Sequence, residues 1–252
     1  TTLDNAMKAM VKLPADKDAL QTQVDAANAI LVRADYNNYT DASREALENA
    51  LAAAQQILDD DSLTVDDQAK VQAAAENLAA AIRGLALKGA DYNALKAAIE
   101  ARKAELEAAK TATVNDGDKL YTDASITRLS IAIGNAESVV ALNLPITEQG
   151  KVDDAVATLN SVQLEKNPAD YSALNALIEE KQTELNNAGD EYTDESKQAL
   201  QQAINTARTV VAQSYKIDEQ NKVDDAVAAL EAVELALKGA DYTALDNAIK
   251  AA

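Results

Sequence analysis

Apolar residues recur along this chain at helical spacing, and they do so three times over. Leu47, Ala50, Leu51, Ala54, Ile57 and Leu58 stand at offsets 0, 3, 4, 7, 10 and 11. The same offsets describe Leu129, Ala132, Ile133, Ala136, Val139 and Val140, and again Leu200, Ala203, Ile204, Ala207, Val210 and Val211. Spacing of this kind lines one face of an α-helix. A second stripe runs through Val152, Ala155, Val156, Leu159 and Val162, with its counterpart in Val223, Ala226, Val227, Leu230 and Val233. A third joins Leu95, Ala98, Ile99 and Leu106, matched by Leu174, Leu177, Ile178 and Leu185. Each unit therefore predicts three amphipathic helices. None can bury its stripe alone, and three stripes turned inward form a bundle.

Three landmarks punctuate the helices in the same order. Junctions of the form Pro/Gly-Ala-Asp fall at Pro14, Gly89, Pro168 and Gly239, in steps of 75, 79 and 71 residues. Tyr39, Tyr121 and Tyr192 open the stretches YTDAS, YTDAS and YTDES, and Gln-x-Lys-Val begins at Gln68, Gln149 and Gln220. Repetition at a fixed period marks a tandem array. The boundaries predicted are three repeats at 14–88, 89–167 and 168–238, with 1–13 the end of a preceding repeat and 239–252 the start of a fourth.

Thr40, Thr122 and Thr193 read as N-caps of the second helices, with Asp41, Asp123 and Asp194 in the favourable first turn. Thr64, Thr147 and Asp218 are expected to cap the third helices. At the junctions, Gly can take the left-handed conformation that ends a helix, and Pro cannot continue one. The Asp that follows caps the next helix. An unbroken helix from repeat to repeat would carry an interior Pro, at a cost of ~3 kcal/mol, so a broken joint is expected.

Short connections make neighbouring helices antiparallel, so each repeat is all-α and runs up, down, up. An odd number of helices leaves the two chain ends at opposite poles, and tandem repeats must extend into a rod. A 20-residue helix spans ~30 Å, which gives roughly 90–120 Å for three repeats. The same topology brings Tyr39 toward Tyr92, Tyr121 toward Tyr171 and Tyr192 toward Tyr242. These pairs are expected either to act as wedges that limit bending at the joints or simply to cover their own helix ends.

Composition narrows the chemistry. The chain has no Phe, Trp, Cys or His, and aromatics make up only 3% of it. A core of Ala, Leu, Ile and Val suits narrow helical packing and offers little to a deep ligand cavity. Without His there is no neutral-pH base of the usual kind, and without Cys no thiolate. A net charge of −19 argues against nucleic acid and anionic membrane as partners, and favours a monomer. No apolar run is long enough to span a bilayer.

Asn115-Asp116-Gly117-Asp118 lacks the full ligand pattern of a calcium loop and reads as a turn. The run Asp59-Asp60-Asp61 is N-terminal dipole compensation, and the serines of YTDxS are capping residues. No enzyme, cofactor or metal site is expected.

The pattern YTDxS, Leu-x-x-Ala-Ile/Leu-x-x-Ala, then Val-Asp-x-Ala-x-x-x-Leu resembles the FIVAR family, "found in various architectures". It is carried by Tyr121 to Ser125, Leu129, Ala132, Ile133, Ala136, Val152, Asp153, Ala155 and Leu159, and by Tyr192 to Ser196, Leu200, Ala203, Ile204, Ala207, Val223, Asp224, Ala226 and Leu230. The first repeat departs from it, with Gln72 in place of the Val-Asp aspartate and Lys17 in place of the junction tyrosine. The resemblance implies three-helix modules of large secreted or cell-wall-attached proteins of Gram-positive bacteria, among them giant adhesins and multidomain glycoside hydrolases. Some members are described as sugar-binding modules. It supplies no catalytic motif. Two functions are then in view: a stalk that projects a distal domain, or repeats that themselves bind a host matrix protein or glycan weakly and many times over.

Overall fold

The computed structural model describes residues 12–114, 117–239 and 242–251, which contain ten α-helices and one short hairpin. The span expected for the first repeat holds α1 (Asp18–Leu31), α2 (Asp41–Leu58) and α3 (Gln68–Arg83). The second holds α4 (Asn93–Thr111), strands β1 (Thr113–Val114) and β2 (Asp118–Lys119), α5 (Asp123–Ala141) and α6 (Gln149–Ser161). The third holds α7 (Ser172–Asn187), α8 (Asp194–Ala212) and α9 (Gln220–Glu231), and α10 (Thr243–Ala251) follows. The protein is thus an all-α tandem array. Residues 1–11, where most of the expected preceding helix falls, lie outside the described residues, and residues 12–13 belong to no helix.

The chain divides into two compact units, Thr1–Ala97 with Asn135–Ala157 and Ala98–Gly134 with Thr158–Ala252. In the first, α1, α2 and α3 pack on one another. Leu20, Val24 and Ala27 of α1 meet Leu47, Leu51 and Ala54 of α2 and Val71, Ala75 and Leu78 of α3. Leu20, Leu47 and Leu78 are fully buried, each worth ~1.5–3 kcal/mol of transfer free energy. Tyr36 closes the bundle where α1 turns into α2. Its hydroxyl donates to Glu48 at 2.9 Å, and Arg44 lies 5.6 Å from its ring centre. Burial and the Glu48 carboxylate raise the pKa of this phenol.

In the second unit, Leu174 and Ile178 of α7, Leu200, Ile204 and Ala207 of α8, and Val223 and Leu230 of α9 make the corresponding core, closed by Ala169. Of the stripe residues of the middle repeat, Leu95, Ile99, Leu106, Leu129, Ile133, Ala136, Val152 and Leu159 are buried and the others half-buried. Arg102 of α4 and Lys181 of α7 occupy equivalent places. Each half-buried cation donates to a carbonyl just past a third helix, Val162 and Val233 respectively, and pairs with a glutamate one turn on.

The second helices start as expected. Thr40, Thr122 and Thr193 accept the backbone N–H of Ser43, Ser125 and Ser196 at 3.4, 3.2 and 3.2 Å. The third helices start differently. A 3-10 turn precedes each, at Val65–Asp67, Ile146–Glu148 and Ile217–Glu219. Thr64 does open the first of these, in a capping box with Asp67, but Thr147 and Asp218 lie inside their turns. The residues equivalent to Thr64 are Pro145 and Lys216, a register that capping propensity alone assigns wrongly.

Candidate functional site: the joints between repeats

Third helices stop well before the junctions, at Arg83, Ser161 and Glu231. The residues that follow run as extended chain, and this chain is bonded along both edges. In the first unit, Thr40 N–H donates to Ala86 C=O at 2.8 Å and Lys88 N–H to Asn38 C=O at 2.7 Å, which ties the strand to the first repeat. On the opposite edge, Ala90 N–H donates to Leu144 C=O at 2.8 Å and Ile146 N–H to Lys88 C=O at 2.8 Å, which ties the same strand to the second repeat. Lys88 therefore serves one repeat with its N–H and the next with its C=O.

The second unit repeats the arrangement. Thr122 donates to Glu165 at 2.8 Å and Asn167 to Leu120 at 2.9 Å on one edge, Ala169 to Tyr215 at 3.0 Å and Ile217 to Asn167 at 2.9 Å on the other. Half of the pattern is also present at Leu13–Ala15 against Leu63–Val65, and at Ala236 and Lys238 against Thr193 and Glu191.

This geometry explains why glycine and proline alternate at the junction. The paired positions are Pro14 with Thr64, Gly89 with Pro145, and Pro168 with Lys216. All are antiparallel pairs whose neighbours make the hydrogen bonds, so the paired residue's own N–H is not needed. Proline, which has no N–H and a φ compatible with extended chain, fits there without loss. All three prolines of the chain occupy such positions, one in each pair. The expectation that the junction glycine adopts a left-handed conformation is corrected: Gly117 in the hairpin is the glycine with positive φ among the described residues. Gly89 is instead an exposed residue of a bridging strand.

Two side-chain devices reinforce each joint. Gln68, Gln149 and Gln220 grip the backbone of the junction aspartate from both sides. The amide oxygen accepts from Asp16, Asp91 and Asp170 N–H at 2.8, 2.6 and 2.6 Å, and the amide nitrogen donates to the same residues' C=O at 2.9, 3.0 and 2.9 Å. The sequence marked these glutamines as a landmark without revealing their task. The aspartates stand one residue ahead of the N-cap position and cap only the first helical N–H, with their carboxylates accepting from Asp18, Asn93 and Ser172 N–H at 3.0, 2.8 and 2.8 Å. That bond holds the Asp170 carboxyl below its ordinary pKa. Lys12–Asp66 and Lys166–Asp218 pair at equivalent places, and the bond from Lys166 lowers the pKa of Asp218. Where Gly89 stands, Leu87 and Thr147 replace that ion pair.

Two of the junction tyrosines bond within their own repeats. Tyr92 and Tyr171 hydroxyls each accept a backbone N–H, from Leu144 and Tyr215, at 2.6 Å. Tyr39 lies against the first core with its ring 6.4 Å from that of Tyr36. Tyr39, Tyr121 and Tyr192 are half-buried and contribute to bridges with Leu87, Lys166 and Leu237. Pro14, Pro168 and Gly239 are exposed, and Tyr242 is 63% exposed.

Lys17 stands where the other repeats have tyrosine, and the structure supplies the reason. Five residues separate α2 from its bridge at Thr64, whereas three separate α5 from Pro145 and α8 from Lys216. The short connections turn through Asn143 and Ser214 at φ 48° and 54° and present an N–H to the tyrosine oxygen. The long connection presents carbonyls. Lys17 Nζ donates to Leu58 C=O at 2.7 Å and to Asp60 C=O at 2.9 Å. Donor and acceptor have exchanged places.

Elsewhere the surface offers shallow grooves. One of about 380 Å³ runs between α1 and α3 over Ala19, Leu20, Val71 and Ala75. Another, of about 340 Å³, lies beside the second joint at Asp118, Asn167 and Asp170. No group of three or more acidic residues among the described residues is placed to hold a metal ion. Asn115 and Asp116 of the considered calcium loop lie outside the described residues. No helix among the described residues is long and apolar enough to cross a membrane.

Three-helix repeats tied by shared strands define a tandem-repeat protein of the all-α class. The family model of the FIVAR domain matches residues 16–86 and 170–238, more than half of the chain, and the chain belongs to that family. The match includes the first repeat despite Gln72 and Lys17, while the middle repeat lies outside the matched residues. FIVAR domains are non-catalytic, repeat-type modules found in extracellular bacterial proteins. No solved structure matches the chain.

Proposed function

We propose that this chain is a non-catalytic structural spacer of a cell-surface, adhesin-type bacterial protein, which carries a more distal functional domain away from the cell. The observation that carries the reading is the joint: repeats are linked by main-chain bonds on both edges of one strand rather than by a loose linker. The strong negative charge keeps such chains apart. A spacer needs length and tolerance of solvent more than a pocket, and the grooves described are shallow.

Two measurements test this together. Small-angle scattering of the chain should give a maximum dimension of roughly 90–120 Å, the length that helix parity and rise require. Arrays of glycans and matrix proteins should show no saturable binding. Saturable binding that depends on several repeats makes the repeats themselves the adhesive element, and a compact particle removes the spacer.

A further inference from the structure

We infer that the joint strands are shear clamps, the elements that carry tension from one repeat to the next. The inference rests on the spacer reading and adds the means by which such a spacer resists pulling.

Force on the chain enters each repeat through its joint strands. In the first repeat, residues 13–15 pair with 63–65 at the pole where α1 starts, and residues 86–88 pair with 38–40 at the pole where α3 ends. A pull on the chain must act on these strands before it reaches any core leucine. Strand 86–90 leaves the first repeat antiparallel to 38–40, so its bonds lie across the direction in which it is pulled. Bonds loaded that way fail together rather than one after another. Because Lys88 is held by Asn38 on one side and Ile146 on the other, tension crosses from repeat to repeat through a single residue's N–H and C=O. It bypasses the ends of α3 and α4. Gln149, bonded to both the N–H and the C=O of Asp91, guards the start of α4 against being drawn out. Asn167 and Gln220 do the same in the second unit.

The test is single-molecule force spectroscopy on the full chain held at its two ends. Lys88→Pro removes the N–H that binds Asn38 together with the exposed Lys88–Asp41 ion pair. Asn167→Pro removes the N–H that binds Leu120 together with the side-chain bonds to the Lys119 and Tyr121 carbonyls, so both variants weaken the joint. The double variant should lose unfolding force relative to wild type. Gly89→Pro is the matched control. Its N–H makes none of the joint bonds, and Pro14 and Pro168 already occupy that place, so the force should not change. Should the double proline variant lose helicity by circular dichroism, Gln149→Ala with Gln220→Ala replaces it. Those glutamine side chains reach the joint from outside the core, and their removal should also lower the force. Leu47→Ala, which opens a core cavity away from the joints, should lower thermal stability more and unfolding force less. Forces that follow core stability, and ignore the joint substitutions, would overturn the clamp. That result leaves the spacer reading intact, since the latter fails only on length or binding.

Discussion

Lys17 offers the sharpest check on how side chain and connection are matched. Its ammonium binds the carbonyls of Leu58 and Asp60, at the end of α2 and in the connection that follows. Hydrogen bonds to a charged group contribute ~1.5–3 kcal/mol each where water is excluded. Lys17 is half-buried, so water replaces part of what is lost and the pair is worth less than that sum. Lys17→Met keeps the aliphatic stem and removes the donor, at an expected cost of about 1–2 kcal/mol. Hydrogen exchange followed by mass spectrometry reads this repeat by repeat. Core amides of α1 to α3 should lose protection by roughly 5–30-fold, while those of α7 to α9 hold theirs. Lys17→Tyr should also fall short of wild type, because a phenol has one O–H to donate where the ammonium binds two carbonyls, and the N–H that the hydroxyls of Tyr92 and Tyr171 accept has no counterpart here. Unchanged protection in Lys17→Met, or a Lys17→Tyr variant more stable than wild type, would refute the matching.

Two further outcomes follow from local geometry. Ser214 sits at φ 54° with a Cβ that this region penalises, so Ser214→Gly should stabilise the third repeat by up to about 1 kcal/mol, measured as a higher urea midpoint, with a smaller gain for Asn143→Gly. The Asp170 carboxyl titrates lower in the folded chain than in the unfolded one, so its cap is fully present above the unfolded value and is lost as pH falls through the folded one. The stability difference between wild type and Asp170→Asn should therefore be constant at neutral pH and shrink below about pH 4.

The sequence displayed the helices because burial writes itself as periodicity: Leu47, Leu129 and Leu200 share a register, and all three are fully buried. Caps were legible for the same local reason, since Thr40, Thr122 and Thr193 act on residues three positions on. The joints were not. Their bonds connect residues about 50 apart, such as Lys88 with Asn38 and Ile146 with Lys88, and main-chain pairing leaves no side-chain signature. What it left was a tolerance, proline at Pro14 and Pro168 but glycine at Gly89, which looked like helix termination. Gln149 and its equivalents were conspicuous by repetition, yet their partner is a backbone peptide that no pattern of residue types names.

Two repeats share one strand, and amide exchange measured residue by residue by NMR examines that strand directly. Lys88 and Thr40 N–H groups, bonded within the first repeat, and Ala90 and Ile146 N–H groups, bonded across to the second, should all exchange slowly. Gly89, lying among them with its N–H unused, should exchange fast. Equal, rapid exchange at Lys88, Gly89, Ala90 and Ile146 would mean that the repeats are joined by a free linker and would contradict a shared strand.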